Sequence, residues 1–441
     1  MSETAVREDI RPERLSLVDT AWLHMESPTN LMMVGSLTFF DTPVDRERII
    51  TTLRNRLLHL GRFVERIEDS PIGPPRWVPD RLFDLDAHVH SVALPEPGGD
   101  NELRIFVSDL MSTPLDMKRP LWDAHLIENY KGGTVLVTRI HHCIADGTAL
   151  MRVLLGLTAT TAEASLRAPH RKPPSPNGSG WWRLPALDPR AAMAGLTQLG
   201  AQAYTLLRLV ALFPDSPTPL RGELTRTKHV AWTQPISLES LRPLREATGF
   251  TVNDILVAAV TGALRSAIRR QGAEVPDRIR ALVPVDLRPP TGDARLGNQF
   301  GLVFLDLPVG FADRMSRLEA VHQGMDSARH SPQPAVAMEV LGALGLVPAA
   351  VQRQAVRFFG TKGTAVVTNV RGPGEPLYLA GSRVRSMTFF VPQSAMLGLG
   401  ISIMTYAGQI QMGVIADSGL VPDTVAIARD MTRELRRLIK V

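Results

Sequence analysis

The stretch TRIHHCIADGTAL, residues 138–150, decides how the chain is interpreted. Two adjacent histidines, His141 and His142, end an apolar run, and Asp146 and Gly147 then lead into a segment with helical periodicity. Neighbouring side chains on a strand point to opposite faces, so the two imidazoles are expected to have different roles. One is predicted to do chemistry, and the other to pack or to form hydrogen bonds.

The residues around this stretch predict a hairpin followed by a helix. Strand Leu121–Glu128, a turn at Lys131–Gly133 and strand Thr134–His141 form the hairpin, and GTALMRVLLGLTA forms the helix. In the connecting loop the glycine permits a tight turn, and the aspartate either caps the helix or pairs with an arginine. A loop held rigid in this way is what a catalytic base requires. The alternative is an ordinary loop that contains two histidines and a capping aspartate.

The whole chain has the composition of a soluble globular protein, and its 441 residues favour two domains over one. The net charge of +5 is mild, and no basic stripe interleaved with aromatic residues occurs, so nucleic acid is excluded as a partner. The polar N-terminus predicts no signal peptide, and the single cysteine, Cys143, excludes an internal disulfide and suits the cytosol. No further His, Cys or Glu lies at ligand spacing from the histidine pair, so no metal ion is predicted.

The residues between Arg385 and Asp417 carry no charge, which raises the alternative of a membrane span. The segment contains Pro392 and several glutamines, and its pattern predicts two strands around a turn at Ala407–Gly408. We therefore expect a buried hairpin there and not a spanning helix.

Strands and helices alternate irregularly in both halves of the chain, which predicts an α/β fold. Residues 1–165 are predicted to form an N-terminal domain that contains the histidine pair, and residues 229–441 a C-terminal domain. Residues 166–228 are rich in proline, glycine and serine at both ends and are predicted to form a linker. Within this linker the apolar segment 190–213 predicts a helix that bridges the domains, with a membrane-surface helix as the alternative.

Several motifs together mark a resemblance to a known family. HHCIADG matches the HHxxxDG signature of acyltransferases similar to chloramphenicol acetyltransferase and to peptide-synthetase condensation domains. PLW at 120–122, the ND pair at 253–254, the opening pattern at 15–35 and TNVRGP at 368–373 are narrower signals. With these, the chain resembles the bacterial wax ester synthase/diacylglycerol acyltransferase family, and the match covers essentially its whole length.

The resemblance implies two chloramphenicol-acetyltransferase-like domains, each a mixed β-sheet with flanking helices, and an active-site tunnel at their interface. It also implies transfer of a fatty acyl group from acyl-coenzyme A to a long-chain alcohol or a diacylglycerol, which gives a wax ester or a triacylglycerol. Acyl-coenzyme A is then a substrate, and no cofactor is required. The expected location is the cytoplasm, with peripheral association at a membrane or lipid-droplet surface left open.

The resemblance assigns His142 as the general base, without a covalent acyl-enzyme, and gives His141 a secondary role. His142 is expected to be neutral, with a pKa near its ordinary value. Asp146 is expected to support the loop together with Gly147, paired with Arg288 or, as rivals, with Arg62 or Arg66. The candidates for the donor that stabilises the tetrahedral oxyanion are Asn253, Thr368 and Ser402.

Other interpretations of these residues stay open in the sequence. Cys143 is a candidate nucleophile or a small buried hydrophobe. Thr251 and Asp254 form a pattern typical of a capping box, so the aspartate of the ND pair has a purely structural alternative. For the whole protein, the alternatives are a condensation-type enzyme that uses a carrier-protein thioester and a non-catalytic lipid-binding protein.

Overall fold

The computed structural model describes residues 12–71, 73–168, 204–288 and 296–440. The helices among these residues are numbered in chain order. They are α1 Leu17–His24, α2 Arg46–Arg56, α3 Asp100–Ser112, α4 Gly147–Leu157, α5 Ala162–Leu166, α6 204–211, α7 Arg242–Thr248, α8 Val252–Arg270, α9 Arg314–Arg329, α10 Gln333–Leu344, α11 Ala349–Gly360 and α12 Thr424–Ile439.

Most strands belong to two large sheets. The strands are β1 Glu13–Arg14, β2 Met33–Phe40, β3 Glu65–Glu68, β4 Arg76–Pro79, β5 Val89–Val92, β6 Trp122–Tyr130, β7 Gly133–His141, β8 Lys228–Trp232, β9 Ile236–Ser237, β10 Ile279–Asp286, β11 Phe300–Leu307, β12 Ala365–Arg371, β13 Tyr378–Leu379, β14 Ser382–Phe390, β15 Leu399–Tyr406 and β16 Gln409–Asp417. The predicted hairpin before the histidine pair is present as β6 and β7, and the predicted buried hairpin near the C-terminus is present as β15 and β16.

Sheet A contains six strands in the order β13-β14-β2-β7-β6-β5. Only β5 and β6 are parallel within it, so the sheet is mixed. The β2–β7 register pairs Met33 with His141, which places the histidine pair at one end of a central strand. Helices α2 and α4 cover one face of sheet A, and α3 covers the other, because α3 shares an apolar cluster with the alternate residues Met33, Leu37 and Phe39.

Sheet B contains seven strands in the order β11-β10-β12-β15-β16-β8, with β9 paired beside β8 on β16. The pairs β10–β12 and β12–β15 are parallel and the others antiparallel. Helix α8 is buried along most of its length, where it packs among α9, α12 and this sheet. The two mixed sheets with flanking helices are the α/β architecture expected from the sequence.

The sheets do not follow the predicted domain boundary throughout. Strands β13 and β14 come from residues 229–441 but complete sheet A, because β14 pairs with β2 and β13 pairs with β14. The sequence did not predict that β14 joins this sheet, because pairing partners distant in sequence leave no local signal. Within the predicted linker, residues 204–211 are helical, and Leu209 is buried while Leu207 and Phe213 are exposed. The rest of the bridging helix predicted for 190–213 lies outside the described residues.

Within the described ranges, no single helix is both long and apolar enough to cross a bilayer. Residues Leu238–Thr248 and Val252–Arg270 meet that criterion only as a pair, by length and composition, and they are bent by 102°.

Candidate active site

The two histidines point into different environments, as the alternation along β7 predicts. The Nδ1 atom of His141 accepts a hydrogen bond from the backbone N–H of Cys143 at 3.1 Å, and its Nε2 atom lies 3.5 Å from a carboxylate oxygen of Glu26. The side chain is 1% exposed. Because it contacts both Cys143 and Glu26, it attaches the loop to the segment before β2. His142 leaves the strand on the other side, and its backbone N–H donates to the carbonyl of Met32 at 2.7 Å.

Asp146 joins the loop to the end of β10. Arg288 donates two hydrogen bonds to its carboxylate, at 2.9 Å and 2.7 Å, and both side chains are almost completely buried. The same carboxylate caps α4 by accepting from Ala149 N–H at 3.0 Å and also accepts from Gln299 N–H at 2.9 Å. Because β7 belongs to sheet A and β10 to sheet B, this ion pair holds the histidine loop against both sheets. Arg288 was the partner favoured by the sequence.

The rival arginines have other contacts. Arg62 donates to the carbonyl of Ile144 at 2.9 Å and to Asp19 at 3.2 Å, so it supports the same loop without reaching Asp146 in the hydrogen-bond network. Arg66 pairs with Glu68 at the surface. The loop is therefore held by two arginines, one on its carboxylate and one on its backbone.

Asn298 forms a second connection between the sheets. Its Nδ2 atom donates to the carbonyl of His142 and to Asp19, each at 2.8 Å. The Oδ1 atom of Asn298 and the Nδ1 atom of His142 are both buried, and neither has a hydrogen-bond partner within the described part of the chain. One side-chain acceptor of Asn298 and one ring nitrogen of His142 are thus without a partner in this part of the structure.

Aromatic rings cover the His142 imidazole. Trp22 stacks on it with a centroid distance of 4.1 Å and an interplanar angle of 19°, and Phe300 lies 5.7 Å away. Burial lowers the pKa of His142 from 6.5 to about 4, and the neighbouring His141 contributes to this decrease. The Asp146 charge and the Asn298 side chain oppose this shift. The expectation of a pKa near the ordinary value is therefore wrong, because the sequence did not reveal the aromatic enclosure. The His142 imidazole is nevertheless neutral at pH 7, as expected, because this pH lies well above its pKa.

Cys143 does not have the surroundings of a nucleophile. Its side chain is fully buried, and burial, together with the Asp19 charge, raises the pKa of its thiol well above the ordinary value. A thiol that stays protonated is a poor nucleophile. The structure thus favours the small buried hydrophobe over the nucleophile.

An apolar cavity of about 140 Å³ extends between sheet A and helices α2 and α4. It ends against Ile140 and Gly147, which lie on either side of the His142 loop, and against Val370 of β12. Gly147 has no positive φ, so the tight-turn explanation for this glycine is wrong. It is the first residue of α4, and a Cβ atom there would lie 3.7 Å from Val370, which is an ordinary van der Waals contact, so the surrounding space does not require a glycine.

A second apolar cavity has a volume of about 100 Å³. Trp22, the residue stacked on His142, forms part of its wall together with Leu302, Leu341 and Phe359. Both cavities are lined by residues from both halves of the chain. One apolar space is thus bounded by residues that flank the His142 loop, and the other by the ring that stacks on its imidazole.

The remaining candidates occupy different positions. Asn253 is half-buried and accepts a hydrogen bond from Asn369 of β12 at 2.8 Å. Asp254 completes a capping box with Thr251 and lies 2.9 Å from His322, which is the structural alternative for the ND pair. Thr368 on β12 and Ser402 on β15 are register partners.

Ser402 is wrong as an oxyanion donor. Its hydroxyl already donates to the carbonyl of Phe389 on the neighbouring sheet, and the residue is 1% exposed. A donor that is engaged inside the fold cannot turn to a developing oxyanion. Thr368 is buried opposite it and remains a candidate, together with Asn253.

Sequence reasoning missed Trp22, Glu26 and Asn298 as site residues. The first two lie within the opening segment that contributed to the family resemblance, but nothing in their spacing predicts contact with a loop more than 100 residues away. Asn298 follows a glycine just before β11 and carries no motif of its own. A search for metal-binding groups of at least three His, Cys, Asp or Glu side chains gives none among the described residues.

Comparisons with known proteins give the family to which the chain is similar. Residues 15–256 match the model of the wax ester synthase/diacylglycerol acyltransferase catalytic domain, and residues 296–439 match that of the family's C-terminal domain. A putative diacylglycerol O-acyltransferase of Mycobacterium bovis and a probable one of Mycobacterium tuberculosis are each 28% identical over 447 residues, covering 97% of this chain and 96% of theirs.

Solved structures give the same result. A wax ester synthase/diacylglycerol acyltransferase from Marinobacter aquaeolei VT8 superposes with a TM-score of 0.70 and 26% identity, over 97% of this chain and 98% of the other. The first condensation domain of the calcium-dependent antibiotic synthetase superposes with a TM-score of 0.64 at 18% identity, over 98% and 96%, and shows the shared fold. The fold and site define a two-sheet, histidine-motif acyltransferase. The chain belongs to the wax ester synthase/diacylglycerol acyltransferase family, and it is an O-acyltransferase.

Proposed function

We propose that the protein transfers a fatty acyl group from acyl-coenzyme A to the hydroxyl of a long-chain alcohol or a diacylglycerol, with His142 as general base. The observation that carries this proposal is a neutral, buried imidazole whose loop borders one apolar cavity and whose stacking partner Trp22 borders another. Two cavities suit a reaction that brings together two apolar chains, one on the thioester and one on the acceptor. The relatives named as diacylglycerol acyltransferases support the acceptor class.

The proposed step needs a proton acceptor but no covalent intermediate. The acceptor oxygen attacks the thioester carbon while His142 takes the hydroxyl proton. When the tetrahedral intermediate collapses, the carbon–sulfur bond breaks, and the coenzyme A thiolate recovers the proton from the imidazolium. Atoms and charges therefore balance without a cofactor, and the low pKa of His142 makes return of the proton favourable.

Asn298 is proposed to set the tautomer of His142. A proton on Nδ1 facing the unpartnered Oδ1 atom of Asn298 would leave Nε2 as the base, which is the arrangement a general base requires. For the oxyanion, Asn253 and Thr368 are the proposed donors. The ion pair of Asp146 with Arg288 acts through the loop and positions the ring.

The proposed location is the cytoplasm, with peripheral attachment to the surface of a membrane or lipid droplet. Long-chain alcohols and diacylglycerols partition into lipid, so the enzyme has to meet them at such a surface. Leu209 of α6 lines the second cavity, and Leu207 and Phe213, which are close to it in sequence, are exposed apolar side chains that support this arrangement.

Thiol release tests the proposal directly. Purified protein is supplied with palmitoyl-coenzyme A and either hexadecanol or dioleoylglycerol, without any carrier protein. We expect acceptor-dependent thiol release and ester formation, and a loss of about 10²–10⁴-fold in His142→Ala. His330→Ala, at an exposed histidine at the end of α9, is the matched control and is expected to keep wild-type rates.

Three other outcomes would contradict the proposal. Release only from a carrier-protein thioester would indicate a condensation-type enzyme. Ligand binding without turnover would indicate a lipid-binding protein. Activity of His142→Ala near the wild-type rate would reject the assigned base.

A further inference from the structure

A groove of about 450 Å³ lies between α3, β8 and α12, away from the histidine loop. Its lining includes Trp232 and exposed Val425, and no carboxylate lines it in the described part of the chain. The cationic residues that line it are Arg104, Arg429, Arg433, Arg436, Arg437 and Lys440. Arg104 belongs to α3 and the other five to the outer face of α12 or its C-terminal cap, so the charges converge from two sides.

The acidic and basic residues of helix α12 lie on different faces of the helix. Its carboxylates, Asp430 and Glu434, are buried and turned into the fold, where their partners include Arg270 and Arg317. The helix therefore uses its negative charge for packing and presents positive charge to solvent. Two groove residues share these carboxylates at its edge, Arg433 at 2.8 Å from Asp430 and Arg437 at 3.8 Å from Glu434.

Arg429, Arg436 and Lys440 are exposed and have no ion-pair partner among the residues described. An unbalanced row of exposed cations is not required for folding, because charges of one sign repel one another along a helix. The row is therefore better explained by an anionic partner than by stability.

The groove is separate from the reacting centre. Trp232 packs 6.1 Å from Phe39, which pairs with Val135. Val135 lies six positions before His141 on β7, or about 20 Å along the strand. Phe39 also faces the α3 side of sheet A, whereas the first apolar cavity lies on the other face. A ligand in the groove would not meet His142 through this sheet.

We infer that the groove docks the protein on the surface of an anionic phospholipid membrane, an inference that rests on the proposed function for its biological purpose. From Arg429 to Lys440 the cations extend over about 16 Å of helix, which is longer than one phosphate group and matches a row of headgroups. Clusters of Lys and Arg on an amphipathic helix are a typical means of binding anionic lipid, and a tryptophan suits the interface. Charge complementarity thus selects this occupant.

Vesicle co-sedimentation tests the inference on the full chain. One set of vesicles contains phosphatidylcholine alone, and the other contains phosphatidylcholine with phosphatidylglycerol. Wild type is expected to bind the anionic vesicles at least about 10-fold more tightly, and salt is expected to weaken this binding. The test variant combines Arg429→Gln, Arg436→Gln and Lys440→Gln and should lose most of the preference, a change of roughly 10- to 100-fold.

The matched control removes the same net charge elsewhere. It combines Arg48→Gln, Arg119→Gln and Arg278→Gln, at three exposed arginines outside the groove. The control is expected to bind anionic vesicles within about two-fold of wild type. Equal losses in both variants, or no preference of wild type for anionic vesicles, would overturn the inference.

Two further readouts separate this inference from the proposed function. Groove-dependent binding of pyrophosphate or coenzyme A without vesicle binding would also overturn it and would indicate a small phosphorylated ligand. Thiol release with a soluble short-chain alcohol should be unchanged in the test variant. Failure of that reaction in wild type would count against the proposed function alone, since vesicle binding is measured without turnover.

Discussion

Two buried aspartates at helix starts illustrate how one local pattern serves two purposes. Asp146 is the N-cap of α4, and Asp254 completes the capping box of α8. Asp146 also binds Arg288 from the end of β10, so that it connects the two sheets beside a loop with a histidine. Asp254 binds His322 of the adjacent α9 and closes a packing contact within one half of the molecule. The helix cap is common to both, and only the partner across the fold makes one of them part of a site.

Of the substitutions at these two aspartates, Asp146→Ala is expected to have the larger effect. The variant leaves the Arg288 guanidinium buried without its partner, which typically destabilises a fold by about 3–5 kcal/mol. It also frees the His142 loop, so we expect kcat to fall by about 100-fold or more even where the protein is folded. Chemical unfolding and thiol release measure the two effects. Should Asp146→Asn, which keeps some of the hydrogen bonds, also retain wild-type kcat at reduced stability, the positioning role would be wrong.

Asp254→Ala is the counterpart with a different outcome. It removes the capping interactions with Thr251 and the contact with His322, and we expect the free energy of unfolding to fall by about 2 kcal/mol. Because none of these contacts reaches His142, kcat should stay within about three-fold of wild type at a temperature where the variant is folded. A selective loss of kcat without a loss of stability would place Asp254 in the reaction instead.

The pH dependence of stability is a further difference between the two helix starts, because a histidine precedes α4 but none immediately precedes α8. The folded-state pKa of His142 is about 4, below the ordinary 6.5 of an unfolded chain. Between these values the unfolded state binds more protons, so the free energy of unfolding should fall as pH falls from about 6.5 to 4. The contribution is about 3 kcal/mol, at about 1.4 kcal/mol for each unit of pKa.

His125 contributes in the same direction, since burial also lowers its pKa to about 4. Denaturant titrations at several pH values should therefore show a weaker acid dependence in His142→Gln and in His125→Gln than in wild type. Unchanged acid dependence in both variants would contradict the depressed pKa values.

The smallest effect is expected for Cys143→Ala. The thiol is buried with a raised pKa, so removing it should leave thiol-release rates within about two-fold of wild type. The loss of one buried sulfur atom should cost about 1 kcal/mol of stability. Abolished turnover in a folded Cys143→Ala protein would restore the nucleophile that the structure disfavours.

The sequence predicted the parts of the fold that depend on local patterns. The β6–β7 hairpin, the β15–β16 hairpin and helix α4 follow from hydrophobic periodicity and turn residues, and the family resemblance added an arginine partner for Asp146. The family motifs added the global arrangement. These features depend on residues that are near one another in sequence or that belong to a recognisable motif.

What the sequence could not supply are contacts between distant segments. The crossover of β14 into sheet A, the stacking of Trp22 on His142 and the hydrogen bonds of Asn298 all join residues more than 100 positions apart. The pKa of His142 depends on this enclosure, and for that reason the neutral state was predicted correctly but the pKa was not. Ser402 failed as a candidate for the same reason, because its hydrogen bond to Phe389 depends on how two strands pack.

The dependence of kcat/KM on pH for wild type and His142→Gln tests most directly whether His142 is the base. Thiol release is followed after brief pH jumps, so that acid unfolding does not intervene. We predict an acid limb with a midpoint well below 6.5, near pH 4, because the imidazole must be neutral to accept the hydroxyl proton. The limb should disappear from the residual activity of His142→Gln. An acid limb of the same midpoint in that variant would contradict the account.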